Sequence, residues 1–436
     1  MATHIAEEGR SYETPRPARG SLLRRRDFQL LFSGQLISTC GDMFYVVALP
    51  FLVFRDGDGV TTLTAILAAF GLARAATAVP AGMLADRVGP RAVMIGADLI
   101  RAVAVLGVAL SLGGHRSPAV VLVAAVLLGA GEGCFAPASQ SLTPTLVSDD
   151  ELPGANAMII SANLIAAAAG PAIGGLGVVV FSPAAMLLID SGTFLLSVVT
   201  LLLIRGSRRT QPEGSPGGAP GEARTVWDFL RGSALFRVIL LMMAVFGLAI
   251  AGTLQVALPL LSKQRADLGV TGYGLLMSAL GIGWLLGALA SRRLSRVTHQ
   301  GYLVIGLLAA DGILLTSLPW VPGEPAMLCI MLALGVSDGA LLVIVLTVLQ
   351  RMPPPYLRGR VLGVLAFVNF AMFPISAAFA GAVLAHGAAS SFFVLTGSGV
   401  CIVALIGAAS APVRQVKAVP VAADSAVPAE REGIRT

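Results

Sequence analysis

Eight ionisable side chains stand inside otherwise apolar stretches of this sequence: Asp42, Arg74, Asp98, Arg101, Glu132, Asp190, Asp311 and Asp338. A charge held away from water costs a few kcal/mol or more, so each needs a partner, a wet hollow or neutralisation. A carboxylate in such surroundings takes up a proton readily and gives it back when water reaches it, which is the chemistry of a proton carrier. Asp42, Glu132 and Asp338 lie well inside their runs and are the carboxylates expected to do this. Arg74 is expected either to hold one of them charged or to meet an anionic group on a ligand. Asp98 and Arg101, three residues apart, read as a structural pair close to a helix end and the Arg87/Arg91 cluster. Asp190 reads as reaching the nearer membrane interface, and Asp311 has no partner evident from the sequence. Gln255 and Asn369 are weaker candidates for hydrogen bonds to a substrate. The histidines (His4, His115, His299, His386) all fall in tails or loops, so imidazole does not carry the proton.

The elements that must position these groups are long hydrophobic helices. Of 436 residues, 56% are hydrophobic and 12% charged, against roughly 25% charged in soluble domains. Apolar runs long enough to span a bilayer occur at about 28–54, 61–84, 91–112, 118–140, 155–181, 184–204, 236–261, 271–294, 301–320, 325–349, 357–384 and 390–411. The fold class is therefore an all-α membrane protein of twelve transmembrane helices. The expected organisation is a disordered N-tail (1–26), a six-helix bundle (27–204), a linker (205–234), a second six-helix bundle (235–411) and a disordered C-tail (412–436). Gln211–Gly221, rich in Gly, Pro and Ser, reads as flexible. The Arg-rich first residues include acidic ones and lack a cleavage-site pattern, so helix 1 is expected to be retained.

The net charge of +6 concerns membrane orientation rather than nucleic acid. Apart from the intrahelical Arg74 and Arg101, only Arg55, Arg116, Lys263 and Arg265 fall in loops on one face; every other lysine and arginine falls on the opposite face. That face is expected to be cytoplasmic, both termini with it, in the plasma membrane. The acidic loop at Asp149, Asp150 and Glu151 is the exception on that face. The four cysteines sit in apolar runs without paired spacing and read as small hydrophobes, not a disulfide or metal site.

The halves echo each other. Ala48-Leu49-Pro50 recurs as Ala257-Leu258-Pro259, Gly82-x-Leu84-Ala85-Asp86-Arg87 as Gly287-x-Leu289-Ala290-Ser291-Arg292, and Leu128-Gly129-x-x-Glu132-Gly133 as Leu334-Gly335-x-x-Asp338-Gly339. The offsets are 209, 205 and 206 residues. Three matches in register mark a duplicated six-helix unit, the arrangement by which transporters place a site between two rocking halves. The second copy has Ser291 where the first has Asp86.

Gly82-Met83-Leu84-Ala85-Asp86-Arg87-Val88-Gly89-Pro90-Arg91 joins two helices in a tight turn. It resembles the G-x-L-a-D-R-x-G-R-[RK] signature between helices 2 and 3 of the major facilitator superfamily of secondary transporters, departing only at Pro90. Gly170-Pro171-Ala172-Ile173-Gly174-Gly175 resembles the G-P-x-[IL]-G-G element of that superfamily's exporters. Leu357-Arg358-Gly359-Arg360-Val361 and Ala155-Asn156-Ala157 are similar to the macrolide-efflux and enterobactin-exporter branch. The resemblance spans 28–411. It implies two pseudo-symmetric halves whose helices 1, 4, 7 and 10 line a central cavity, which would place Asp42, Glu132 and Asp338 at its wall. It also implies that Gly82, Asp86, Arg87, Gly89 and Arg91 form a cytoplasmic latch, with Asp86 near the start of helix 11 when the protein faces outward. Many drug–proton antiporters carry an arginine in the outer half of helix 4; residues 118–131 hold none, so coupling through that residue is excluded.

The expected activity is export of a hydrophobic or amphipathic small organic molecule (drug, antibiotic, or endogenous metabolite or siderophore) by proton antiport through alternating access. The expected partners are the substrate, protons and the lipid bilayer, and the expected state is a monomer. No cofactor, metal, nucleotide or nucleic acid is expected: there is no G-x-x-x-x-G-K-[ST] and no soluble stretch to house a nucleotide domain. The alternatives are a proton-coupled nutrient importer, for which more polar or aromatic residues on the cavity helices would be natural, and a non-transporting membrane sensor. A membrane enzyme would need an intramembrane cluster of His/Asp, or Ser with a base, and none is visible.

Overall fold

The computed structural model describes residues 22–55, 59–112, 118–205, 228, 231–265, 267–294, 297–351 and 357–416. The stretch 211–221, expected from sequence to be flexible, and most of both tails lie outside the described residues. The described chain is helical, without strands: α1 Arg26–Arg55, α2 Gly59–Val88, α3 Pro90–Ser111, α4 Pro118–Leu146, α5 Leu152–Val180 and α6 Pro183–Leu203 come first. After the linker follow α7 Ala234–Gln264, α8 Gly269–Leu294, α9 Gln300–Ser317, α10 Glu324–Arg351, α11 Arg358–Leu384, α12 Ala389–Ala409 and a short α13, Ala411–Arg414. Eleven helices among the described residues are long and apolar enough to cross a membrane, and α11 adds a shorter apolar stretch at Phe370–Leu384. Side chains such as Val79, Val103, Val123, Ile313 and Leu405 are exposed around the perimeter, where lipid replaces water as their neighbour. The expected disordered C-tail differs in its first residues, which fold as α13 with Val413 buried.

The internal repeat has a geometric counterpart. A Cβ on Gly129 would strike the Phe70 carbonyl of α2, and one on Gly133 the Arg74 carbonyl. In the second half, Gly335 faces the Leu280 carbonyl of α8 and Gly339 that of Trp284. Absent side chains thus bring α4 onto α2 and α10 onto α8, backbone against backbone, in the manner of small-residue membrane helix pairs. Gly170 and Gly174 let α5 approach α1, the first against the Met43 side chain and the second against Phe44 Cα and its ring. Gly274 and Gly281 of α8 meet the carbonyls of Pro171 and Ala167, joining the two halves. The Ala172 N–H donates to Ser278 Oγ across that seam at 2.8 Å, and the other seam is α2 against α11, where Phe70 meets Phe373 at 5.9 Å.

The two faces of the bundle differ. At the face poor in arginine, one apolar core draws on both halves: Val53, Phe54, Leu63 and Ile66 from the first, and Leu258, Tyr273, Leu276 and Phe392 from the second. Lys263 donates to the Phe54 carbonyl at 2.7 Å, so a cation from the last turn of α7 closes the C-terminal end of α1. At the arginine-rich face each half keeps a separate core, one around Phe28, Met94 and Leu142, the other around Phe236, Leu349 and Val361. Glu151 pairs with Arg25 there at 2.7 Å, which explains an acidic group on that face.

α7 carries the one π-turn among the described helices, at Thr253–Ala257. Pro259 offers no N–H, and the Leu258 N–H bonds to the Thr253 carbonyl, five residues back. The Leu254 carbonyl, released from its usual partner, accepts the hydroxyl of fully buried Tyr273 at 3.1 Å. The extra residue turns Gln255 toward the interior, a common use of π-turns at functional positions.

Candidate functional site

A cavity of about 490 Å³ opens between the helices of the first half and the seam with the second. Asp42 from α1, Arg74 from α2, Arg101 from α3, Glu132 from α4 and Asp190 from α6 reach its wall. The second half contributes Gln255 from the π-turn and Phe373. Glu132 pairs with Arg74 at 3.1 Å, and Arg74 lies over the Phe370 ring at 4.7 Å. Asp42 faces Arg101 at 3.8 Å. Arg101 also holds Asp98 in a charge-assisted hydrogen bond, and its guanidinium is sandwiched between Phe135 and Phe194, 4.6 and 4.5 Å from their centroids.

Burial divides this network. The Asp98 and Arg101 side chains are 0% and 4% exposed, whereas Asp42 and Glu132 are 34% and 36% exposed. The first pair is a fixed anchor; the second two carboxylates are in reach of water. Asp190 lies fully buried against the cavity, with Gly41 leaving the room its carboxylate occupies. Four acids stand against two arginines, so the cluster would carry two surplus negative charges were every group ionised.

Three sequence expectations change, two of them at this network and the third at Asp338. The Asp98–Arg101 pair was expected at a helix end, yet Arg101 stands midway along α3 and bridges to the cavity, because the contact with α1 is tertiary and invisible in local spacing. Asp190 was expected at the membrane interface; α6 packing against α1 and α3 turns it inward. The sequence reading also passed over Gln35, which bonds Ser139, and Asn163, which lines the same cavity. Each is an amide inside an otherwise apolar run, which was the available signal.

Asp338 does not lie in this cavity. It accepts a 2.6 Å hydrogen bond from the Trp284 indole and lines a second pocket within the other half. The pairing reproduces the first half with a change of chemistry: Glu132 meets Arg74 of α2, and Asp338 meets Trp284 of α8, at offsets of 206 and 210 residues. Behind it, Asp311 is 1% exposed, with Asp338 and Ser337 as its polar neighbours. Asn369 falls on α11, with its side chain outside the described residues.

At the arginine-rich face, α2 ends at Val88 and Gly89 takes φ 89°, a left-handed turn suited to glycine. Pro90 then starts α3 at its first position, where the missing N–H costs nothing. Asp86 and Arg87 are exposed, and Asp86 forms no ion pair among the described residues. A Cβ on Gly82 would meet nothing within 4 Å. Arg91 instead closes the end of α6, donating to the carbonyls of Leu201 and Leu202 at 2.7 and 2.8 Å.

Comparison with known proteins agrees with this architecture. The family model described as Major Facilitator Superfamily matches residues 31–377. The chain is 26% identical over 389 residues to a protein named multidrug efflux pump Tap from Mycolicibacterium fortuitum, covering 86% of this chain and 93% of that one. Among solved structures, a point mutant of the nucleoside transporter NupG superposes with a TM-score of 0.70 at 12% identity, covering 88% of this chain and 99% of the other. A bacterial homologue of the iron transporter ferroportin, in its inward-facing state, superposes with 0.68 at 16% identity, covering 88% and 98%.

Proposed function

The chain belongs to the major facilitator superfamily, a family of multi-pass membrane transporters rather than enzymes, and on that footing we propose that it exports a hydrophobic or amphipathic organic molecule in exchange for protons. The observation that carries this reading is the cavity in which Asp42 and Glu132, each about a third exposed, share two arginines with two further acids. A surplus of carboxylates that water can reach is a place to load and discharge protons, and Arg74 and Arg101 stabilise the charged form of each carboxylate once its proton has left. Gln255 supplies a neutral hydrogen-bonding group from the opposite half. The halves, 27–204 and 235–411, rock about the seam where Pro171 and its neighbours meet α8.

Export is supported by the small-residue run of α5 at that seam and by the multidrug-efflux name of the relative. With the arginine-rich face in the cytoplasm of the plasma membrane, the sealed face points outward and the described conformation faces inward. Asp86 then stands exposed because the latch with α11 is open in this state. The decisive experiment uses proteoliposomes bearing a pH gradient. Glu132→Gln abolishes substrate-linked proton exchange; an unchanged proton flux would remove Glu132 from the mechanism. Cellular accumulation with and without a protonophore fixes the direction.

A further inference from the structure

The second pocket, about 420 Å³ among α7, α9 and α10, shares no lining residue with the central cavity. We propose that it is a separate binding site for a lipophilic organic cation, with Asp338 as its anchor. Its volume falls within the range of about 300–1,000 Å³ that accommodates small organic ligands. Asp338 is the one ionisable side chain among its described lining residues, and no lysine or arginine contributes. The Trp284 indole fixes the carboxylate from one side at 2.6 Å and supplies no charge, unlike Arg74 opposite Glu132. Asp311, buried behind it, adds a second acidic group and no base.

The remaining walls suit the rest of such a molecule. Met242 and Met243 line it with polarisable thioethers that adapt to irregular shapes, and Phe246 adds an aromatic ring of the kind that attracts cations. One end is covered by the segment after α12. Val413 and Val416 line the pocket, and the Gly301 N–H holds the Val416 carbonyl at 3.1 Å. A Cβ on Gly301 would strike the Val413 carbonyl, so only glycine at the start of α9 admits this cover. An anion meets uncompensated repulsion in such a pocket, and a neutral molecule leaves the carboxylate without a counter-charge.

The site has its own reporter. Among the described residues, Trp284 is the tryptophan that touches Asp338. Trp227→Phe and Trp320→Phe in the purified full chain leave its fluorescence isolated. Tetraphenylphosphonium and tetraphenylborate, ions of one shape and opposite charge, are titrated against this background. The phosphonium quenches Trp284 and the borate does not; Asp338→Asn weakens the phosphonium at least about tenfold. Met243→Trp, read with tritiated phosphonium, fills the pocket without touching the carboxylate and lowers binding likewise, which covers the case of an unfolded Asp338 variant. Glu132→Gln leaves the Trp284 quenching in place. Equal quenching by borate, or loss with Glu132→Gln but not with Asp338→Asn, overturns the proposal. Binding is read at equilibrium without transport, so either result leaves the antiport reading to its own test.

Discussion

Replacing Arg101 by methionine should remove the anchor of the central cavity, and the structure sets how much that costs. The guanidinium is 4% exposed and serves two carboxylates of very different burial. Asp98, at 0% exposure, would be left as an uncompensated buried charge, and breaking such a pair by deleting one partner costs about 3–5 kcal/mol. Asp42, a third exposed and 3.8 Å away, adds at most about 1 kcal/mol. At about 2–4 °C per kcal/mol for a unit the size of one half, the loss of roughly 4 kcal/mol lowers the melting temperature by about 8–16 °C. Because the penalty lies mainly with Asp98, Asp98→Asn added to Arg101→Met recovers most of it, whereas Asp42→Asn added to Arg101→Met recovers little. Thermal unfolding of the purified variants in one detergent measures all four species. Greater recovery with Asp42→Asn would show that the buried pair is not the anchor and would refute the division of the network drawn from burial.

Further outcomes follow from single contacts. Tyr273→Phe strips the released Leu254 carbonyl of its donor and should cost about 1–3 kcal/mol, read as a fall in melting temperature at unchanged expression. Gly133→Val drives a side chain into the Arg74 carbonyl, which cannot yield as a flexible chain would; a loss of at least about 1–3 kcal/mol is expected, with transport lost alongside. Gly82→Ala should be neutral for folding, since its Cβ enters open space, so any transport defect reports a state other than this one. Asp86→Asn should cripple efflux while leaving membrane insertion intact, and normal efflux from a well-expressed variant counts against the latch.

Much of the scaffold was legible because a bilayer demands long apolar runs, and a chain of this composition displays them without ambiguity. The repeat was legible too, since Gly129, Gly133, Gly335 and Gly339 mark helix contacts that no other residue permits. Asp42, Arg74 and Glu132 stood out as charges among aliphatic neighbours, and they share one cavity. The pairing pattern was not legible. Arg101 looked satisfied by Asp98 one turn away, and only the packing of α3 on α1 and α6 brings Asp42 into its reach. Likewise the repeat placed Asp338 opposite Glu132 in kind but not in cavity, because Trp284 and the side chains of α9 enclose it on its own side. The π-turn of α7 needed both Pro259 and a tyrosine from another helix, a conjunction that no local pattern reveals.

The backbone contact at the two glycine pairs has a consequence for the transport stroke. With carbonyls of α2 and α8 lodged where side chains of α4 and α10 would be, each pair has no compliant layer along which to slip. In the proposed rocking motion, Glu132 is therefore expected to move together with Arg74, and Asp338 together with Trp284. What would alternate is then not their companion within the half but the solvent at their free side. In the proposed cycle, the carboxylate–arginine pair of the first half would therefore change its hydration rather than its partner.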